Sequence, residues 1–170
     1  MEKPSHRAHK EAAREHVRCG VITVSDTRTK ETDKSGQWIL KSLGEAGHEA
    51  IAYHIIKDEP SQIRALLEAL FQRPDVEAVI INGGTGVARR DVTFDVVLGM
   101  LEKTLPGFGE LFRMLSFEEI GSAAMLSRAV AGTVAGKAVF SLPGSSGAVR
   151  LAMEKLILPE MPHIVHELNK

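Results

Sequence analysis

The sequence predicts an α/β fold, a three-layer sandwich whose central sheet is mostly parallel. Three observations carry this expectation. Short apolar segments rich in β-branched residues alternate with segments whose apolar residues fall at helical spacing. The junctions that follow the strand segments are polar or glycine-rich, as where parallel strands deliver their loops to one sheet edge. Finally, 170 residues suit one domain and suffice to bury a core.

Val17 to Val24 (VRCGVITV) is a buried strand ending at Ser25-Asp26. The polar run DTRTKETDKSG leads to a helix from about Ser35 to Ala46, with Gly47 as its stop. His48 to Ile56 is a second strand, rich in β-favouring residues. After Lys57-Asp58-Glu59, Pro60 suits a first helical turn; Ile63, Leu66, Leu67, Leu70 and Phe71 then form one apolar stripe. Ala78 to Ile81 is a third strand feeding the glycine-rich run INGGTGVARRDVTFD.

Beyond that run, Thr93 is placed to cap a helix carrying Val96, Val97, Met100 and Leu101, which Pro106-Gly107-Phe108-Gly109 should break. ELFRMLSFEEIGSAAMLSRA forms short helical pieces interrupted at Gly121. Val130 to Val134 and Ala138 to Leu142 are strands joined through Ala135-Gly136-Lys137. Pro143-Gly144-Ser145-Ser146-Gly147 opens a last helical region, which Pro159 and Pro162 should break. The chain divides into a charged leader, residues 1–16, and a single domain, residues 17–170, without an internal repeat.

Composition excludes several functions. A formal net charge of -1 supplies no overall attraction for nucleic acid or an anionic membrane. Aromatic residues, at 5%, are too few and scattered for a base-stacking surface. No apolar run approaches the ~20 residues of a membrane-spanning helix, and MEKPSHRAHKEAAREH lacks the apolar segment of a secretion signal, so a cytoplasmic protein is expected. His6, His9 and His16 are irregularly spaced and unaccompanied by cysteine, which favours a solvated tail over a metal site. Cys19 stands alone in an apolar run, a buried, inert thiol of a reducing compartment.

Four polar junctions should share the carboxyl edge of the sheet: Ser25-Asp26, Asp58-Glu59, Gly83 to Asp91, and Pro143 to Ser146. Two are glycine-rich and lead towards helices. Consecutive unobstructed N–H groups make an anion nest, and a helix N-terminus adds positive potential. GGTG or PGSSG alone is equally a tight turn; the set of two such loops with Asp58 and Asp91 points to a phosphate-bearing ligand. The run is not a P-loop, since GGTGVARRD lacks the lysine-serine ending. Carboxylates beside such loops hold Mg²⁺ through oxygen ligands and bridge it to phosphates, which suits phosphoryl or nucleotidyl transfer. Arg89 or Arg90 could meet phosphate oxygens, and Asp58 could instead cap the helix that begins near Pro60. His163 and His166 share a helical face without further ligands and read as ordinary surface or core residues.

GVITVSDTR, GGTGVARRDVTFD, PGFGELFRMLSFEEIG, MLSRAVAGT and FSLPGSSGAV strongly resemble the molybdenum-cofactor biosynthesis proteins of the MoaB/MogA type, and similar domains occur in gephyrin and plant cofactor proteins. The resemblance runs from about Val17 to the C-terminus. It implies molybdopterin adenylylation: molybdopterin and ATP, with Mg²⁺, give adenylyl-molybdopterin and pyrophosphate. By resemblance, Asp58 and Asp91 are the catalytic and metal-holding aspartates. Gly83, Gly84, Thr85 and Gly86 form the nucleotide loop, with Ser25, Asp26, Pro143, Gly144 and Ser145 beside it. Ser116 and Ser127 match the molybdopterin side. Trimers, with hexamers in the MoaB branch, and a downstream molybdate-insertion enzyme are the implied partners. The family usually has proline where this chain has Phe94; proline presets a helix start, so the change is expected to loosen the loop while removing no polar contact. The middle segment sits closer to the MoaB branch, some members of which lack the catalytic aspartate. This chain keeps both, which favours the enzyme over a non-catalytic molybdopterin-binding or scaffolding oligomer.

Overall fold

In the computed structural model, which describes residues 16–170, six strands form one sheet in the order β2-β1-β3-β6-β5-β4. The strands are β1 (Arg18–Val24), β2 (Glu49–Ile56), β3 (Ala78–Asn82), β4 (Lys103–Thr104), β5 (Val130–Val134) and β6 (Lys137–Leu142). β2, β1, β3 and β6 pair in parallel, while β5 and β4 extend the sheet antiparallel. The expected α/β architecture is therefore present. The parallel strands end together at Ser25, Lys57, Gly83 and Pro143, so their four loops share one edge.

Side chains alternate across a strand, and the two faces accordingly feed separate cores. Cys19, Val21, Ile80 and Phe140 pack with Ile39, Leu43, Phe112, Met153 and Met161 on one face. Ile22, Val79, Ile81 and Val139 pack with Ile63, Leu67, Leu70 and Val97 on the other. The first face is covered by α1 (Lys34–Glu45), α4 (Pro106–Ile120), α5 (Ser146–Ala152) and α6 (Leu158–Leu168). α2 (Pro60–Gln72) and α3 (Thr93–Met100) cover the second. Cys19 is fully buried beside Met161, and burial pushes its thiol up to about 12, as an inert cysteine requires.

The prolines behave differently from expectation. Pro106 does not break a helix but starts α4 at its first turn, where a missing N–H costs nothing. The preceding helix ends by itself at Met100, and an unforeseen two-residue strand, β4, lies between them against β5. Gly121 does end α4, with φ 68°, and a 3₁₀ turn, Gly121–Leu126, follows. Pro159 and Pro162 do not break the final helical region either. A π turn, Met153–Ile157, joins α5 to α6; Pro159 falls in the first turn of α6, and Pro162 lies within it. Widening one turn to an i→i+5 bond, from Leu158 N to Met153 O, reorganises the ladder just before both imino residues. Ala135 (φ 50°) and Gly136 (φ 72°) form the two-residue hairpin turn between β5 and β6.

His6 and His9 lie outside the described residues. His16, by contrast, shares a hydrogen bond of 2.8 Å with the Gly47 carbonyl and stands 3.6 Å from Glu49, so it belongs with the domain.

Candidate active site

Ser25 closes the β1 loop as a polar turn: its amide donates to Ile56 O, and its Oγ accepts from the amides of Thr27 and Arg28. Asp26 then accepts from the Asp58 amide at 3.4 Å. Asp58 does not cap α2, whose N-terminal residue is Glu59 without a side-chain bond. It reaches across to α3 instead. Its Oδ1 accepts from Thr93 Oγ1 at 3.0 Å and from Val92 N at 3.4 Å. Thr93, expected to cap α3 itself, is fully buried and spends its hydroxyl on Asp58. The backbone N–H that opens α3, on Val92, is thus met by a side chain 34 positions upstream.

The glycine loop needs its glycines. Gly83 and Gly84 have φ of 104° and 65°, where side chains are strained. A Cβ on Gly84 would strike Thr93 Oγ1 and lie 2.6 Å from Asp58 Oδ2, and one on Gly86 would lie 2.6 Å from Asp91 Oδ2. Each carboxylate is therefore seated against one bare glycine of the same loop. Gly83 N donates to Leu142 O at 2.9 Å, where the two glycine-rich loops begin side by side, and Ser35 Oγ of α1 donates to Gly144 O at 2.9 Å, which ties the second loop to α1. Asp91 is folded back on its own turn: Oδ2 accepts from Ala88 N at 3.1 Å.

Electrostatically the site interleaves carboxylates with arginines. Asp58 is 8% exposed; burial raises its carboxyl above the usual range, and the neighbouring Asp91 and Asp26 push the same way. The Arg90 guanidinium holds Asp26 below the usual range, donating to it at 3.0 Å and to Glu59 Oε1 at 3.1 Å. Arg90 thereby bridges the β1 and β2 loops, while Arg89 is exposed in a cleft of about 300 Å³ lined also by Val87, Asp91, Asp95 and Arg128. A second cleft of about 380 Å³ opens beside Ser25, Asp26, Arg28 and Lys57. A third, of about 400 Å³ beside β4 and α6, contains none of these residues.

Among the described residues, no three histidine, cysteine or carboxylate side chains form a self-contained metal site. Asp58 and Asp91 suit Mg²⁺ in another way. A hard cation held by one or two carboxylates completes its shell with water and substrate phosphates, and it would offset the burial and the neighbouring carboxylates that raise Asp58.

The remaining expected residues are distributed as follows. Ser145 is the N-cap of α5, its Oγ accepting from Ala148 N at 3.3 Å. Ser127 ends the 3₁₀ turn, and its buried Oγ has no hydrogen-bond partner among the described residues. Ser116 is buried on α4, and no hydrogen bond among the described residues joins it to the glycine loop. His163 lies beside Glu160 and Glu167 on α6 and takes no part in the site.

A family model described as "Probable molybdopterin binding domain" matches residues 20–163. The chain belongs to this molybdopterin-binding domain family. Molybdenum cofactor biosynthesis protein B of Bacillus cereus is 56% identical over 163 residues, covering 95% of this chain and 96% of that protein. A crystal structure of a molybdenum cofactor biosynthesis protein B superposes with a TM-score of 0.89 at 57% identity, covering 91% of this chain and 96% of that one. The tungsten cofactor synthesizing protein MoaB from Pyrococcus furiosus gives 0.82 at 38% identity, with 93% and 100% coverage.

Within this molybdopterin-binding domain, sequence reasoning missed Arg128. Its guanidinium donates to the carbonyls of Thr85, Gly86 and Asp91 and pairs with Asp95. It also lies 4.8 Å from the centre of the Phe94 ring. The available signal was its place directly after Ser127. Phe94, at the position where proline was expected to be missed, stacks on Arg128 and donates its N–H to Gly84 O at 3.4 Å, a bond proline cannot make.

Proposed function

We propose that this chain transfers the adenylyl group of ATP to molybdopterin, releasing pyrophosphate, with Mg²⁺ at Asp58 and Asp91. Family membership and relatives named for molybdenum cofactor biosynthesis support a role in that process. The observation that carries the finer reading is the pairing of each carboxylate with one glycine of the same loop, at the carboxyl edge of a parallel sheet. A Mg²⁺ ion bound there would neutralise charge on the ATP phosphates. The chain's own groups do the rest. The amides of Gly86 and Val87, without an acceptor among the described residues, receive phosphate oxygens, Asp58 holds the start of α3 and its own carboxylate in one fixed arrangement, and Ser127, whose hydroxyl has no partner among the described residues, serves the pterin side. Incubating the purified protein with molybdopterin and Mg-ATP tests the reading; no pyrophosphate release would leave the non-catalytic molybdopterin-binding role.

Assembly as a homotrimer, alone or paired into a hexamer, is part of the same proposal. Leu111, Met114, Phe117 and Ile120 recur at helical spacing on α4 and are exposed, with Met125 and Leu126 continuing the apolar surface. A row of this kind on a well-folded domain marks an interface. A monomer in light scattering at micromolar concentration would refute it.

A further inference from the structure

We infer that Arg128 is the positioning residue of the glycine loop: it sets the direction of the loop amides and of Asp91, and links them to the segment that carries Ser127. This rests on the adenylyl-transfer reading. All three guanidinium nitrogens are engaged. Nε donates to Thr85 O (3.2 Å) and Gly86 O (3.1 Å), and Nη2 to Gly86 O (2.6 Å) and Asp91 O (3.0 Å). Nη1 donates to both oxygens of Asp95, at 3.2 and 3.1 Å.

In a trans peptide, the carbonyl and the following N–H point in opposite directions. Gathering the carbonyls of Thr85, Gly86 and Asp91 on Arg128 therefore turns the N–H groups of Gly86, Val87 and Val92 to the far side. The structure shows the consequence at one of them, since Val92 N donates to Asp58 Oδ1. The peptide joining Asp91 to Val92 is clamped between Arg128 on one side and Asp58 on the other, so both proposed metal-holding residues answer to the same plane. Among the described residues, neither Gly86 N nor Val87 N has an acceptor, which leaves both amides for an anion.

Arg128 is itself held in place. The Arg113 guanidinium donates to the carbonyls of Ser127 and Ala129, the two residues that flank it, at 3.4 Å each. A lysine has three donors on one point and cannot span three carbonyls and a carboxylate in a plane. The fork geometry is what the loop uses.

Arg128→Lys and Arg128→Ala, made in the full chain, test this. Arg128→Lys should fold and assemble, keep molybdopterin affinity within roughly threefold, and lose on the order of 10–100-fold in kcat, because misaligned groups act mainly on the transition state. Mg-ATP affinity, measured by calorimetry, should weaken on the order of tenfold. Hydrogen exchange at Gly86, Val87 and Val92 should speed up, and added guanidinium should restore part of kcat to Arg128→Ala. A variant that melts lower but retains wild-type kcat, Mg-ATP affinity and exchange at those amides would make Arg128 a structural staple and overturn the inference. If wild-type protein releases no pyrophosphate, the adenylyl-transfer reading fails on its own. Mg-ATP affinity and amide exchange then decide Arg128, and unchanged values for both would refute it.

Discussion

Replacing Asp58 by asparagine should separate its structural work from its chemical work. The Asp58 carboxylate accepts two hydrogen bonds at the start of α3, one from the fully buried Thr93 hydroxyl. Asparagine keeps an oxygen for both. Losing the charge weakens them by about 1 kcal/mol, the difference between charged and neutral hydrogen bonds. Removing a carboxylate that burial, Asp91 and Asp26 all oppose acts in the other direction. Asp58→Asn should therefore melt within ~3 °C of wild type. Alanine offers no oxygen. It leaves the Thr93 hydroxyl buried and unpaired, at ~1–3 kcal/mol, and removes the acceptor of Val92 N at the start of α3, at ~1 kcal/mol. A loss of about 2–4 kcal/mol should lower Tm by ~5–15 °C. Both variants should lose at least ~100-fold in pyrophosphate release at saturating Mg-ATP, equivalent to ~3 kcal/mol of transition-state stabilisation. Thermal melts and the release assay, run on the same preparations, check the argument. Full turnover by Asp58→Asn would remove the metal role, and equal melting of the two variants would remove the structural role at α3.

Asp91→Asn should fold and bind molybdopterin but lose a similar factor in turnover, and the double variant with Asp58→Asn should be little worse than either alone, because the two act as one unit; additive losses would refute a shared metal site. Protonation of Asp58 should couple to pH with a definite sign. Its folded carboxyl is raised, so its contribution to stability is present at low pH and is lost as pH rises through the folded value, while Mg²⁺ affinity rises over the same range; calorimetric Mg-ATP titrations at several pH values check this. His48 has the opposite sign. Burial, helped by His16, lowers its imidazole, whose Nδ1 accepts from Val17 N, so its contribution is present above the ordinary ~6.5 and lost as pH falls through the depressed value; His48→Gln should flatten the fall in Tm below pH ~6.5. Ser127→Ala should leave Tm unchanged, since its hydroxyl has no partner among the described residues, while weakening molybdopterin binding by ~2–12-fold; unchanged affinity would remove Ser127 from the pterin side.

Local sequence determined every strand except β4, most helices and the edge at which their loops meet. Each is encoded in residues a few positions apart: alternation in VRCGVITV, a stripe from Ile63 to Phe71, glycines directly after a strand. The same holds for the glycine loop with Asp58 and Asp91, because strand ends in a parallel sheet must deliver them together. Where proline was read as a breaker, the sequence left two outcomes open. Pro106 and Pro159 fit first turns, and the π turn preceding Pro159 and Pro162 is a property of the packed ladder, not of any short window. Only the tertiary structure decided that Asp58 bonds to the start of α3 instead of capping α2, that Arg90 ties Asp26 to Glu59, and that Arg128 gathers three carbonyls of a loop some 40 positions upstream. These are contacts between residues far apart in the chain, satisfied by burial and hydrogen-bond geometry, and local pattern carries no signal for them. A backbone carbonyl is the same chemical group at every position; which side chain it meets is settled only when the sheet brings the two together.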